Sequence, residues 1–237
     1  MSHVIAKVRD SVCAVVRIVP LDKAKGQFRV GVAGTAWCIS EDRYLVTAHH
    51  ILNEGKPRDT NDRFYIMTVP GNGSTAYEFA VVGFPVEDPT HDLAILEMRP
   101  SAGSGQHVPA VPVTFARPVD GAPVLTYGFP APTVNAASVT ADGEWRGGQM
   151  FLKGHANEGM VAAQYDAGGA WLFEFNVGWH HGESGGPVFQ MDPIAVFAVM
   201  QHYRNVQTPN GVQPGPHRGY GLEVIRQHLI THGAAVL

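Results

Sequence analysis

The sequence predicts an all-β protein made of two antiparallel six-stranded barrels and a carboxy-terminal α-helix. Three observations carry that prediction. The 27 glycines and 17 prolines are spread through all 237 residues, punctuation that cuts the chain into short segments. Short apolar runs rich in β-branched and aromatic residues recur along the chain with turn material between them. Only one late segment has helical spacing.

The elements follow in order. VCAVVRIV (12–19), FRVGVAGTAWCIS (28–40), YLVTAH (44–49), RFYIMTV (63–69), YEFAVVGF (77–84) and LAILEM (93–98) read as six strands. Asp22–Gly26, Ser40–Arg43, Asn53–Asp62 and Pro70–Ser74 separate them as turns. Arg99–Gln106 (RPSAGSGQ) lacks bulky residues and is the linker candidate. Six further runs follow it: PAVPVTF (109–115), APVLTYGF (122–129), QMFLKGH (149–155), AWLFEFNV (170–177), GPVFQM (186–191) and IAVFAVM (194–200). The expected division is therefore a first barrel over residues 1–106 and a second over residues 107–237. In GLEVIRQHLITH (221–232), Leu222, Ile225, Leu229 and Ile230 recur near helical spacing, with Gly233 as a stop.

Composition excludes several classes. The chain is 45% hydrophobic and 16% charged, enough to bury a core. A net charge of −4 without a Lys/Arg run gives no footprint for nucleic acid. No apolar run is long enough to span a membrane, and Arg9 and Asp10 interrupt the amino-terminal stretch where a secretory signal would need continuity. A soluble, cytoplasmic protein is the expectation. Cys13 and Cys38 allow at most one disulfide and are expected to be small buried thiols. The histidine pairs 49–50 and 180–181 lack the i, i+4 geometry of a zinc-binding helix, and the cysteines are not spaced as ligands. Neither a metal nor a cofactor is expected.

Three segments carry chemistry. In Gly182-Glu183-Ser184-Gly185-Gly186-Pro187-Val188, glycines flank a serine, leaving it accessible on a chain able to bend tightly. Neighbouring N–H groups can then converge on the oxygen of a tetrahedral intermediate. The G-x-S-x-G pattern alone also suits a strand-to-helix elbow, but here it runs into the strand-like PVFQM. In YLVTAHHIL (44–52) an apolar strand delivers a histidine just before a polar loop, and in His91-Asp92-Leu93-Ala94-Ile95-Leu96 an aspartate enters a buried strand. Taken singly, a glycine-rich turn, a strand-end histidine and a strand-entry aspartate are all ordinary. Together they give the order His, Asp, Ser with separations of 42 (92 − 50) and 92 (184 − 92), the order of chymotrypsin rather than of subtilisin or the α/β-hydrolases.

With these motifs the sequence resembles the chymotrypsin-fold serine peptidases, particularly bacterial trypsin-like domains of the HtrA/Deg kind. GTAWCIS looks like the strand before the catalytic histidine, YLVTAHHIL like the V-T-x-A-H signature and HDLAILEM like the aspartate segment. VLTYGFP resembles the glycine-bearing strand of the second barrel, GESGGPVF the serine motif and GYGLEVI the final strand. In that register His50, four residues after Val46, is the catalytic histidine, and His49 stands where a small residue is usual. Adjacent side chains on a strand point opposite ways, so only one of the pair can face Ser184.

The resemblance implies a serine endopeptidase acting on a peptide or protein substrate through His50, Asp92 and Ser184, with the N–H groups of Gly182 and Ser184 as oxyanion hole. It implies a primary pocket near Gly178, His181, His202 and Tyr203. Gly178 supplies no carboxylate for a basic side chain, so acidic or small residues are the expected preference. Ile51 follows His50, so the disulfide of extracellular relatives is missing. Glu183 stands before the serine and no activation-site sequence precedes the first barrel, so a cleavage-activated zymogen is not expected; a regulatory protein partner that orders the loops around Gly182 is compatible with the fold. The rival reading is a catalytically silent binding module on the same fold.

Overall fold

A computed structural model describes residues 2–53, 58–100, 106–178, 180–209 and 211–237. Six strands close the first barrel: β1 (Val12–Asp22), β2 (Gln27–Ser40), β3 (Tyr44–Thr47), β4 (Arg63–Thr68), β5 (Tyr77–Asp88) and β6 (Leu93–Pro100), hydrogen-bonded in the order β1-β2-β3-β6-β5-β4 and all antiparallel. Period-two alternation, with both faces covered, explains the continuously apolar stretches 12–16 of β1, 36–39 of β2 and 93–96 of β6. Cys13, Val15, Ala36, Cys38, Ala94, Leu96 and Met98 fill the barrel interior. Their neighbours Val12, Ala14, Val16, Trp37, Ile39, Leu93 and Ile95 face the opposite way, into a core shared with Leu125, Tyr127, Phe129, Phe189, Val196 and Val199 of the second half. A strand covered on both faces needs no polar alternation. Each fully buried valine or leucine contributes about 1.5–3 kcal/mol.

The fold class is the expected one, with a different second half. The later strands are β7 (Pro123–Gly128), β8 (Thr133–Val139), β9 (Trp145–Phe151), β10 (His155–Asp166), β11 (Trp171–Val177), β12 (Pro187–Met191), β13 (Ile194–Val199), β14 (His202–Thr208) and β15 (Gly211–Tyr220). Seven of them form an antiparallel sheet ordered β13-β12-β7-β10-β11-β15-β14. It is a curled half-barrel rather than a closed six-stranded one; a lone bridge between Ala198 and Gly221 brings its two ends together. Its concave face holds Val161, Phe173, Phe175, Val188 and Phe197, with Phe197 edge-on to Phe173 at 5.2 Å. The strands β8 and β9 pair only with each other. Their hairpin leans on the first barrel, where the Tyr65 hydroxyl accepts from Trp145 N at 3.0 Å, and Asn72 exchanges two side-chain hydrogen bonds with the Gly154 main chain.

Several segments depart from expectation. The run 109–115 is not a strand; Pro109 and Pro112 carry no N–H, and only Val113 makes isolated bridges, to Val196 and Val236. Arg99 belongs to β6, and the linker's residues 101–105 lie outside the described residues. An unanticipated helix α1 (Ser2–Val8) buries Val4 and Val8, one turn apart, in the shared core. The carboxy-terminal segment forms a 3₁₀ turn (Leu222–Ile225) and then α3 (Arg226–Thr231), burying Leu222, Ile225 and Leu229 while Ile230 is exposed. No helix among the described residues is long and apolar enough to cross a membrane.

Candidate active site

The aspartate and histidine meet at one end of the first barrel. The peptide of Asp92 enters β6 with φ +53°, a left-handed conformation that aspartate tolerates better than most residues. This turns its carboxylate back toward the chain leaving β3. Asp92 Oδ1 accepts from His50 N at 2.7 Å and Oδ2 from His50 Nδ1 at 2.8 Å, while its carbonyl accepts from His49 N at 3.1 Å. An ionised carboxylate can only accept, so His50 Nδ1 carries the proton and Nε2 is left as an acceptor. The His50 side chain is 42% exposed.

The two histidines do not sit on a strand. β3 stops at Thr47, and His50 opens a one-turn helix α2 (His50–Asn53) anchored by buried Ile51 and Leu52. Successive helical side chains diverge by about 100°, so the pair still separates. His49 turns to the other side, with Nε2 at 3.6 Å from Glu87 and Nδ1 at 3.3 Å from the Asn53 amide.

Thr35 of β2, fully buried, holds the serine loop directly against the first barrel. Thr35 N donates to Ser184 O at 2.8 Å and its hydroxyl donates to Gly182 O at 2.7 Å while accepting from Phe129 N at 3.2 Å. Two glycines make this close approach feasible. Gly182 has φ +101°, and a Cβ there would lie 2.3 Å from Phe129 O; at Gly185, φ +84°, it would lie 2.1 Å from Thr35 O. The N–H groups of Gly182 and Ser184 have no protein acceptor among the described residues. Ser184 Oγ donates to the carbonyl of Gln201 at 2.9 Å, and no hydrogen bond joins it to His50.

Glu183 points the opposite way, into the half-barrel, and is 3% exposed. Its carboxylate accepts from Asn157 Nδ2 at 2.9 Å and from His180 N at 2.6 Å, tying the segment before the serine to β10. Burial raises its pKa, and the His180 and Asn157 hydrogen bonds only partly oppose that.

The expected pocket residues lie on two segments. Gly178 and His181 follow β11 and are exposed, while His202 and Tyr203 open β14. His202 senses both Asp92 and His50, and desolvation lowers its pKa against the pull of the Asp92 charge. His217 on β15, which the sequence does not single out, stands edge-on to Tyr203 at 6.3 Å; desolvation and then the His180 charge lower its pKa. The described residues contain one cluster with metal-ligand proximity, Glu41, Asp42 and His107, which includes none of these histidines. There Asp42 already binds His107 Nδ1 and Val108 N. Both cysteines are free and buried, and burial raises both thiols, Cys38 to about 12, which disfavours the nucleophilic thiolate.

Thr35 and Asn157 escape a sequence reading because each is a single polar residue whose partners are distant. The usable signal at Thr35 is a hydroxyl between small residues inside an apolar strand.

Two solved structures share this architecture. An HtrA-type protease, AlgW, with decapeptide superposes with a TM-score of 0.65 at 15% identity, covering 98% of this chain and 68% of that one. A variant of the same protease with decapeptide gives 0.63 at 14% identity, covering 99% and 68%. No curated protein matches the sequence. The family model described as a trypsin-like peptidase domain matches residues 34–198, more than half of the chain. The residues from Gly34 of β2 to Ala198 of β13 thus carry a shared pattern as well as a shared shape, and the chain belongs to the trypsin-like peptidase domain family.

Proposed function

We propose that the chain is a serine endopeptidase working through Ser184, His50 and Asp92. The observation that carries the reading is the His50 Nδ1–Asp92 Oδ2 hydrogen bond at 2.8 Å, which leaves Nε2 to act as the base. Ser184 Oγ turns from the Gln201 carbonyl to His50 Nε2, gives up its proton and bonds to the scissile carbonyl carbon. The oxygen takes the negative charge beside the N–H groups of Gly182 and Ser184. His50 then protonates the leaving amine as the C–N bond breaks, and water repeats the sequence on the acyl-enzyme. Asp92 stays ionised and holds the imidazole in its productive tautomer. AlgW is seen with a decapeptide, which favours an extended peptide as substrate here too. Gly178 offers no carboxylate, and His181, His202 and Tyr203 favour an acidic or small side chain before the cleaved bond.

A second reading has one observation in its favour: the Ser184 hydroxyl is bonded to a main-chain carbonyl and not to its base. A silent binding module would keep it there. One experiment separates the two. A labelled fluorophosphonate should modify the full-length protein at Ser184, and a mixed peptide library should be cut with few Lys or Arg residues before the bond. Labelling absent from the wild type, or unchanged in Ser184→Ala, rejects the peptidase; cleavage mainly after basic residues rejects the pocket.

A further inference from the structure

The residue that receives the Ser184 hydroxyl also reaches across to the other half of the molecule. Gln201 follows β13 at the end of the apolar run IAVFAVM and is 0% exposed. Its side-chain Nε2 donates to His91 O at 2.6 Å and to Asp92 O at 3.0 Å. Both acceptors are carbonyls, so the orientation of the amide is forced. Gln201 Oε1 is buried without a hydrogen-bond partner among the described residues. An apolar side chain of similar volume would fill the site without burying that unpaired oxygen, so packing alone does not account for glutamine. Its N–H groups do: they hold the main chain of Asp92, a residue with a side chain that the site keeps in a left-handed conformation. On the other side, the main chain around Gln201 is locked to the serine loop. Gly185 N donates to Met200 O at 2.7 Å, Met200 N to Gly186 O at 2.8 Å, and Ser184 Oγ to Gln201 O.

We infer that Gln201 is a positioning residue that sets the Asp92 peptide, and through it the His50 imidazole, in register with Ser184. The inference rests on the serine-peptidase reading for its kinetic consequence, but its geometric consequence stands without it. The variant is Gln201→Met, which keeps the volume and removes both donors. Turnover per fluorophosphonate-titrated site should fall about 10–100-fold with KM within about twofold, the size expected when a reacting group is displaced by about an ångström. In proton NMR, the hydrogen-bonded His50 Nδ1–H resonance of the wild type should move upfield or broaden in the variant. A merely structural role would lower the melting temperature and leave both readouts in place. Turnover per titrated site within twofold of wild type overturns the inference, as does an unmoved Nδ1–H resonance. Should the wild type neither cleave nor label, the peptidase reading fails and the resonance alone decides this one. If Gln201→Met does not fold, Gln201→Glu, of the same shape but without the N–H donors, is read by the same two measurements.

Discussion

Replacing Thr35 by valine tests whether the serine loop depends on one buried hydroxyl. Thr35 is 0% exposed, and its Oγ1 makes two bonds: to Gly182 O at 2.7 Å and from Phe129 N at 3.2 Å. Valine keeps the volume and the strand propensity but strands both main-chain groups. A buried polar group left unpaired costs about 1–3 kcal/mol, so two cost about 2–6. The extra methyl recovers about 0.8 kcal/mol, and half-buried Gly182 O can be partly rehydrated. The expected loss is therefore about 2–4 kcal/mol. The Thr35 main-chain bond to Ser184 O at 2.8 Å survives, so the loop loosens without detaching. Loss of one oxyanion donor costs about 10²–10³ in turnover, and a loosened Gly182 N–H should forfeit part of that, about 10–100-fold. Urea unfolding followed by tryptophan fluorescence reads the stability, and the fluorophosphonate labelling rate reads the loop. Thr35→Ser, which keeps the hydroxyl, should lose about 1 kcal/mol and label near the wild-type rate. If Thr35→Val unfolds within about 0.5 kcal/mol of wild type and labels as fast, the clamp does not exist.

Other perturbations separate the remaining roles. His50→Ala should lower peptide turnover by about 10⁴–10⁶, whereas His49→Ala, whose ring faces Glu87 and Asn53, should keep most of it; the reverse result would move the base by one residue. Glu183→Gln should change how stability depends on pH. From its ordinary value of 4.5 up to its raised folded value, the folded chain keeps a proton that the unfolded chain releases, so wild-type stability falls as pH rises through that window. The variant has no such fall, and its melting temperature relative to wild type should climb between pH 4 and 7; parallel curves would mean the carboxyl is not raised.

Much of the architecture is written locally. The apolar run of β1 and the turns on either side of β3 identify strands without reference to any partner, because period-two burial and turn chemistry act over a few residues. The order of His50, Asp92 and Ser184 is equally visible, since each lies in a short segment of distinctive chemistry. Other elements exist only through pairing. β15 contains Pro214 and Pro216 and reads as a loop, yet it is a strand because β11 and β14 flank it. α1 is too short to declare itself and is held by the core it helps to close. The motif register already picks His50 over His49; tertiary structure alone decides where the Ser184 hydroxyl rests, and that Thr35 and Gln201 join the two halves. The Thr35 bond to Gly182 spans 147 residues and the Gln201 bond to Asp92 spans 109. A pattern along the chain records which residues can hydrogen-bond; which of them meet depends on two sheets packing face to face over a shared core.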